Sequence, residues 1–86
     1  MIVRIPQQLF SYTRQRDTVE GSGESVARVL AGLDREYPGL RFRVVDEQDG
    51  IREHVRIFVN GRLVRDIHAA VAPGDEVHIL CAISGG

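Results

Sequence analysis

The segment Glu76-Val77-His78-Ile79-Leu80-Cys81-Ala82-Ile83-Ser84-Gly85-Gly86 decides how the rest of the chain is read. Its first seven residues alternate. Val77, Ile79 and Cys81 fall on one side of an extended chain and His78, Leu80 and Ala82 on the other, the period-two signature of a strand with one buried face. Its last two residues are glycines, which lose the most backbone entropy on ordering and bring no side chain to a core. For the same reason Gly85 and Gly86 can enter a passage too narrow for any other residue, and an extended stretch from Ile83 to Gly86 reaches about 13 Å past the strand. The expectation is a folded body over residues 1–82 and a flexible tail over 83–86 that presents a terminal carboxylate.

Upstream, Val71-Ala72-Pro73-Gly74-Asp75 reads as a turn. Before it, His54 to Val59 alternates, with Val55, Ile57 and Val59 on one face and Arg56 and Phe58 on the other. Asn60-Gly61 then predicts a tight hairpin into Arg62-Leu63-Val64. The helix signal is the clearest in the chain: Ser25 is a good N-cap, Val26, Val29, Leu30, Leu33 and Tyr37 form one apolar stripe, and Pro38-Gly39 stops it. Two strands precede it, Ile2 to Ile5 ended by Pro6, and Arg16 to Glu20 closed by Gly21-Ser22-Gly23, together a hairpin with a long connection. Arg41 to Glu53 is charged and contains Asp49-Gly50, so it reads as a surface excursion with a short strand at Phe42 to Val45. A hairpin, a crossing helix and returning strands give an α+β fold, the β-grasp (ubiquitin-like) arrangement, in which a mixed sheet carries one main helix across one face and the C-terminal strand runs inside the sheet.

Eighty-six residues make one domain with room for one core and no deep cleft roofed by a second domain, which favours a binding or carrier module over an enzyme. Eleven basic and twelve acidic residues are interspersed, so there is no basic stripe for nucleic acid. All eleven basic residues are arginine, leaving no lysine side chain on which copies of the chain could be joined. Cys81 is the one cysteine, which excludes an internal disulfide and fits a reducing compartment. No signal peptide or membrane span is read at the start, and a cytoplasmic location is expected. His54, His68 and His78 lack the spacing and company of a metal site, and Gly21-Ser22-Gly23 lacks the lysine of a phosphate loop. No bound metal or cofactor is expected.

The order of Val3-Arg4-Ile5-Pro6, Glu36-Tyr37-Pro38-Gly39-Leu40, Val55-Arg56-Ile57-Phe58-Val59-Asn60-Gly61, Pro73-Gly74-Asp75-Glu76-Val77-His78-Ile79-Leu80 and the final Gly85-Gly86 resembles the ThiS/MoaD family of ubiquitin-like sulfur carriers over essentially the whole chain. The Ile-Pro opening and the acidic stretch at residues 46–53 look more like the carriers serving cysteine biosynthesis than the thiamine carriers. The resemblance implies that an adenylyltransferase related to ubiquitin-activating enzymes uses ATP to adenylate the Gly86 carboxylate. A sulfur donor then converts it to a thiocarboxylate, and a sulfur-accepting synthase consumes that sulfur. It also implies two alternatives, the small subunit of a molybdopterin synthase and a protein modifier that forms isopeptide bonds through Gly86. Free of partners, the chain is expected to be a monomer.

Gly86 is therefore the expected adenylation and thiocarboxylate site, with Gly85 and Ser84 giving clearance. Phe58, Leu80 and Ala82 are expected on the sheet face that the single helix leaves open, rimmed by Arg4, Arg56 and His78, as a partner-docking patch. Strand parity puts Cys81 with Val77 and Ile79 on the core side, where a cysteine acts as a small inert hydrophobe rather than a persulfide carrier.

Overall fold

The computed structural model describes residues 1–82. Five strands form one sheet: β1 (Ile2–Arg4), β2 (Thr18–Glu20), β3 (Val55–Val59), β4 (Arg62–Val64) and β5 (Glu76–Cys81), in the order β2-β1-β5-β3-β4. β5 sits in the middle, parallel to β1 on one side and antiparallel to β3 on the other. The remaining pairings are antiparallel, so the sheet is mixed, as a β-grasp fold requires. A parallel neighbour cannot be reached by a tight turn, and the chain between β1 and β5 accordingly carries the helices.

The main helix, α1 (Val26–Glu36), begins where the sequence places it: the Ser25 side chain accepts a hydrogen bond from the Arg28 amide at 3.2 Å. Two more of its first amides are satisfied by the returning loop, Val26 N–H donating to the Ala69 carbonyl at 3.0 Å and Ala27 N–H to that of Ile67 at 2.7 Å. All five residues of the expected stripe are buried, against Val3, Val55, Ile57, Val77 and Ile79 from alternate positions of the strands. Fully burying each large side chain of this kind contributes roughly 1.5 to 3 kcal/mol before chain entropy is counted. Asn60 and Gly61 adopt φ values of 52° and 82°, the left-handed pair of a type I′ turn, which matches the twist of the β3–β4 hairpin.

One part of the reading is corrected. The segment expected to be a short strand at Phe42 to Val45 is a second helix, α2 (Leu40–Val44), and it is no mere surface excursion, because Leu40, Val44 and Val45 are fully buried. Leu40, Phe42 and Val44 alternate as a strand would, yet Leu40 and Val44 are also one helical turn apart, and tertiary contacts choose between the two periods. The choice is made at the turn: Gly39 takes a φ of 95°, and one carboxylate oxygen of Asp34 accepts from the amides of both Gly39 and Arg41, each at 3.1 Å. The β1–β2 hairpin has the long connection expected of it, and that connection contains a 3-10 helix, Gln7–Tyr12, that buries Leu9. The connection is secured by the buried Thr13 hydroxyl, which donates to the Arg16 carbonyl at 2.8 Å. No described helix is long and apolar enough to cross a membrane.

Candidate functional site

The end of β5 is held from two sides. The Ala82 amide donates to the His54 carbonyl at 2.7 Å, and the Gln8 side-chain amide donates to the Cys81 carbonyl at 3.4 Å. Beside this exit lies a depression of about 500 Å³ lined by Gln8, Ser11, Tyr12, Arg43, His54 and Ala82 among others. Here the Arg43 Nε donates to the Tyr12 hydroxyl. Cys81 is half-buried against the core, and burial pushes its thiol pKa up, which keeps it protonated and poorly nucleophilic. Ser84, Gly85 and Gly86, the residues expected to carry and clear the reactive carboxylate, lie outside the described residues.

The face of the sheet opposite α1 is open, and the alternation of β5 and β3 puts Phe58, His78 and Leu80 there. Phe58 pairs with His78 across the two strands, and with Leu80 they line a depression of about 270 Å³. Leu80 is 39% exposed. Arg4, the parallel partner of His78, forms an ion pair with Glu76 at 3.1 Å. Both side chains are well exposed, so the pair orients the rim more than it stabilises the fold.

The other two expected docking residues are not in that depression. Arg56 is opposite Leu80 in register, but its Nη1 donates to the Glu53 and Val55 carbonyls at 2.7 and 3.0 Å, and it lines a separate depression at the start of β3. Ala82 belongs to the exit of β5. Sequence reasoning also missed two neighbours on the open face. Ile2 is 46% exposed, and Leu63 lies directly opposite Phe58. The signal for Ile2 was present in β1, where Val3 is buried between exposed Ile2 and Arg4. Leu63 follows from the Asn60-Gly61 turn, which fixes the hairpin register.

Two carboxylates have structural work nearby. Asp75 accepts from the Ala72 amide and from the Asn60 side chain, both at 2.8 Å, and these hydrogen bonds hold its pKa below the usual carboxylate range. The Asn60 side-chain oxygen in turn accepts from the Glu76 amide at 2.9 Å, which ties the β3–β4 turn to the start of β5. Asp46 is lowered likewise by the amides of Gly50 and Gln48. Among the described residues no three histidine, cysteine or acidic side chains gather as a metal site.

The comparisons with known proteins agree with this fold. The model of the ThiS family matches residues 3–86. The sulfur carrier protein CysO of Mycobacterium tuberculosis is 35% identical over 89 aligned positions, which cover 98% of this chain and 96% of the relative. A chain in the crystal structure of the BexX/CysO complex of Amycolatopsis orientalis superposes with a TM-score of 0.92 at 30% identity, covering 99% of this chain and 98% of that one. The small archaeal modifier protein 1 of Methanosarcina acetivorans superposes with a TM-score of 0.81 at 26% identity, covering 99% and 94%.

Proposed function

The chain belongs to the ThiS family, and we propose that it is a sulfur-carrier protein, in which the Gly86 carboxylate is adenylated by a partner and converted to a thiocarboxylate that supplies sulfur for cysteine or a related metabolite. The observation that carries this reading is the similarity, over nearly the full length of both chains, to a protein named as a sulfur carrier.

The chemistry assigns simple tasks. A carboxylate is a poor electrophile. Transfer of AMP from ATP, with release of pyrophosphate, makes it a mixed anhydride with a good leaving group. Sulfur at the oxidation level of sulfide attacks the same carbon, and AMP departs with the electron pair. The product is a thiocarboxylate, anionic and nucleophilic at neutral pH. ATP is bound by the activating adenylyltransferase, so the carrier needs no cofactor of its own and acts as cargo holder rather than catalyst. The sulfur-accepting synthase would recognise the body through Phe58, Leu80 and His78, with Arg56 and Ala82 at its margins. We place this chemistry in the cytoplasm, on a chain that is monomeric between encounters.

The test is mass spectrometry after incubation with an activating enzyme, ATP and a sulfur donor. The expected result is the mass gain of one oxygen-to-sulfur exchange at the C-terminus, lost when Gly86 is deleted while the circular dichroism spectrum is unchanged. A thiocarboxylate formed without Gly86 would refute the site. A second reading, protein modification through Gly86, draws on the likeness to a small archaeal modifier protein. Isopeptide adducts on lysines of other proteins, in place of the sulfur exchange, would favour it.

A further inference from the structure

β4 is an edge strand, and the depression at its far end, about 410 Å³, brings Arg52, Arg56 and Arg65 around apolar Ile51, Leu63 and Val64. Val64 is the register partner of Ile57, and Arg65, the first residue past β4, lines the same depression as Arg56. Like charges held close together repel, and an anion placed between them relieves the repulsion. The fold supplies one only in part: Asp46 acts on Arg52 through space, and the Arg52 guanidinium also lies 4.5 Å from the centroid of the Phe42 ring. The Arg52 Nε donates to the Phe42 carbonyl at 2.7 Å, Arg56 donates to the two carbonyls given above, and among the described residues none of the three arginines has a carboxylate within ion-pair distance. Glu53 is the one acid in the lining and makes no ion pair with them.

The backbone adds a second feature. Beyond the two-residue turn, Val59 and Arg62 form the hydrogen-bonded pair, so Leu63, opposite Phe58, directs its N–H and C=O away from β3 toward the open edge. An extended chain laid along β4 meets these two groups, places alternate apolar side chains on the floor and turns alternate acidic ones toward the guanidiniums. Free phosphate would use the arginines but leave the floor and the edge unused.

We propose that the β4 edge is a second recognition site, separate from the tail, that takes an extended acidic segment of a partner protein. It rests on the carrier reading, because its occupant would be one of the proteins that load or unload the tail, and it would hold the body while the tail is engaged elsewhere.

The probe is a fluorescein-labelled hexapeptide of alternating valine and glutamate, titrated into the full chain and followed by anisotropy, with amide shifts mapped by NMR. We expect saturable binding that weakens with salt, shifts at the Leu63 amide and its neighbours, and a loss of about tenfold in affinity in Arg65→Glu. Arg65→Lys should retain most of it, since Arg65 is exposed and either variant is compatible with folding. Equal binding of the same peptide with glutamine in place of glutamate, indifference to Arg65→Glu, or displacement by inorganic phosphate at matching concentration would each overturn the proposal. A chain that binds the peptide but never accepts sulfur on Gly86 would sink the carrier reading and leave this site standing. The reverse result would do the opposite.

Discussion

The two faces of the one sheet are built from the same strands and share almost nothing else. On the side under α1, Val3, Val19, Val55, Ile57, Val77 and Ile79 are buried. On the other, Ile2, Arg4, Phe58, His78 and Leu80 meet solvent at least in part. Successive residues of a strand thus face the core on one side and solvent on the other, and a small domain gains a second, partly apolar surface without enlarging its core. The difference teaches that the outward face can change by substitution at every second position of these strands with the core left intact.

The neighbours Ile79 and Leu80 offer the hardest test. Ile79→Ala should cost about 2 to 5 kcal/mol, because it leaves a cavity at the centre of the sheet, whereas Leu80→Ala should cost less than about 1 kcal/mol. Urea unfolding of the pair would measure both, and equal losses would break the division between faces. Next in size is the cap that holds the covering helix in place: Ser25→Ala should lower stability by about 1 kcal/mol in the same assay, since the Arg28 amide loses its acceptor. Phe58→Ala should change stability by about 1 kcal/mol or less while weakening partner binding by roughly tenfold, measured by calorimetry against a sulfur-accepting synthase. A matching loss of stability would show that Phe58 belongs to the core instead.

The smallest effect is on pH dependence. Asp75 and Asp46 have folded pKa values below their unfolded ones, so the unfolded chain binds more protons in the acid range. Their contribution is present above the unfolded carboxylate pKa of about 4 and is lost as pH falls through the lower folded values. Asp75→Asn should flatten that acid limb in a series of urea melts, and an unchanged slope would mean that its amide contacts do not persist in solution.

The elements legible in sequence are those whose local signals agree with their burial. Ser25, the stripe from Val26 to Tyr37 and Pro38-Gly39 mark the start, face and stop of α1, and Asn60-Gly61 fixes a turn that admits one register. α2 was hidden because Leu40 and Val44 satisfy both periods over so short a run, and the deciding contact, from Asp34, comes from the preceding helix. The depression at Phe58, His78 and Leu80 was readable from parity alone. Parity failed for Arg56 and Ala82 because it gives the side of a sheet, whereas the direction of a long side chain and the end of a strand depend on neighbouring loops.

The central position of β5 has a mechanical consequence. Traction applied beyond Ala82 runs along a strand flanked on both edges, by β1 and by β3, so it loads two ladders of hydrogen bonds at once in shear. Peeling them one rung at a time, the easy route for an outer strand, is closed. A pull on the end of β5 is therefore shared between two neighbouring strands, and the body should resist it better than it would a pull on either outer strand.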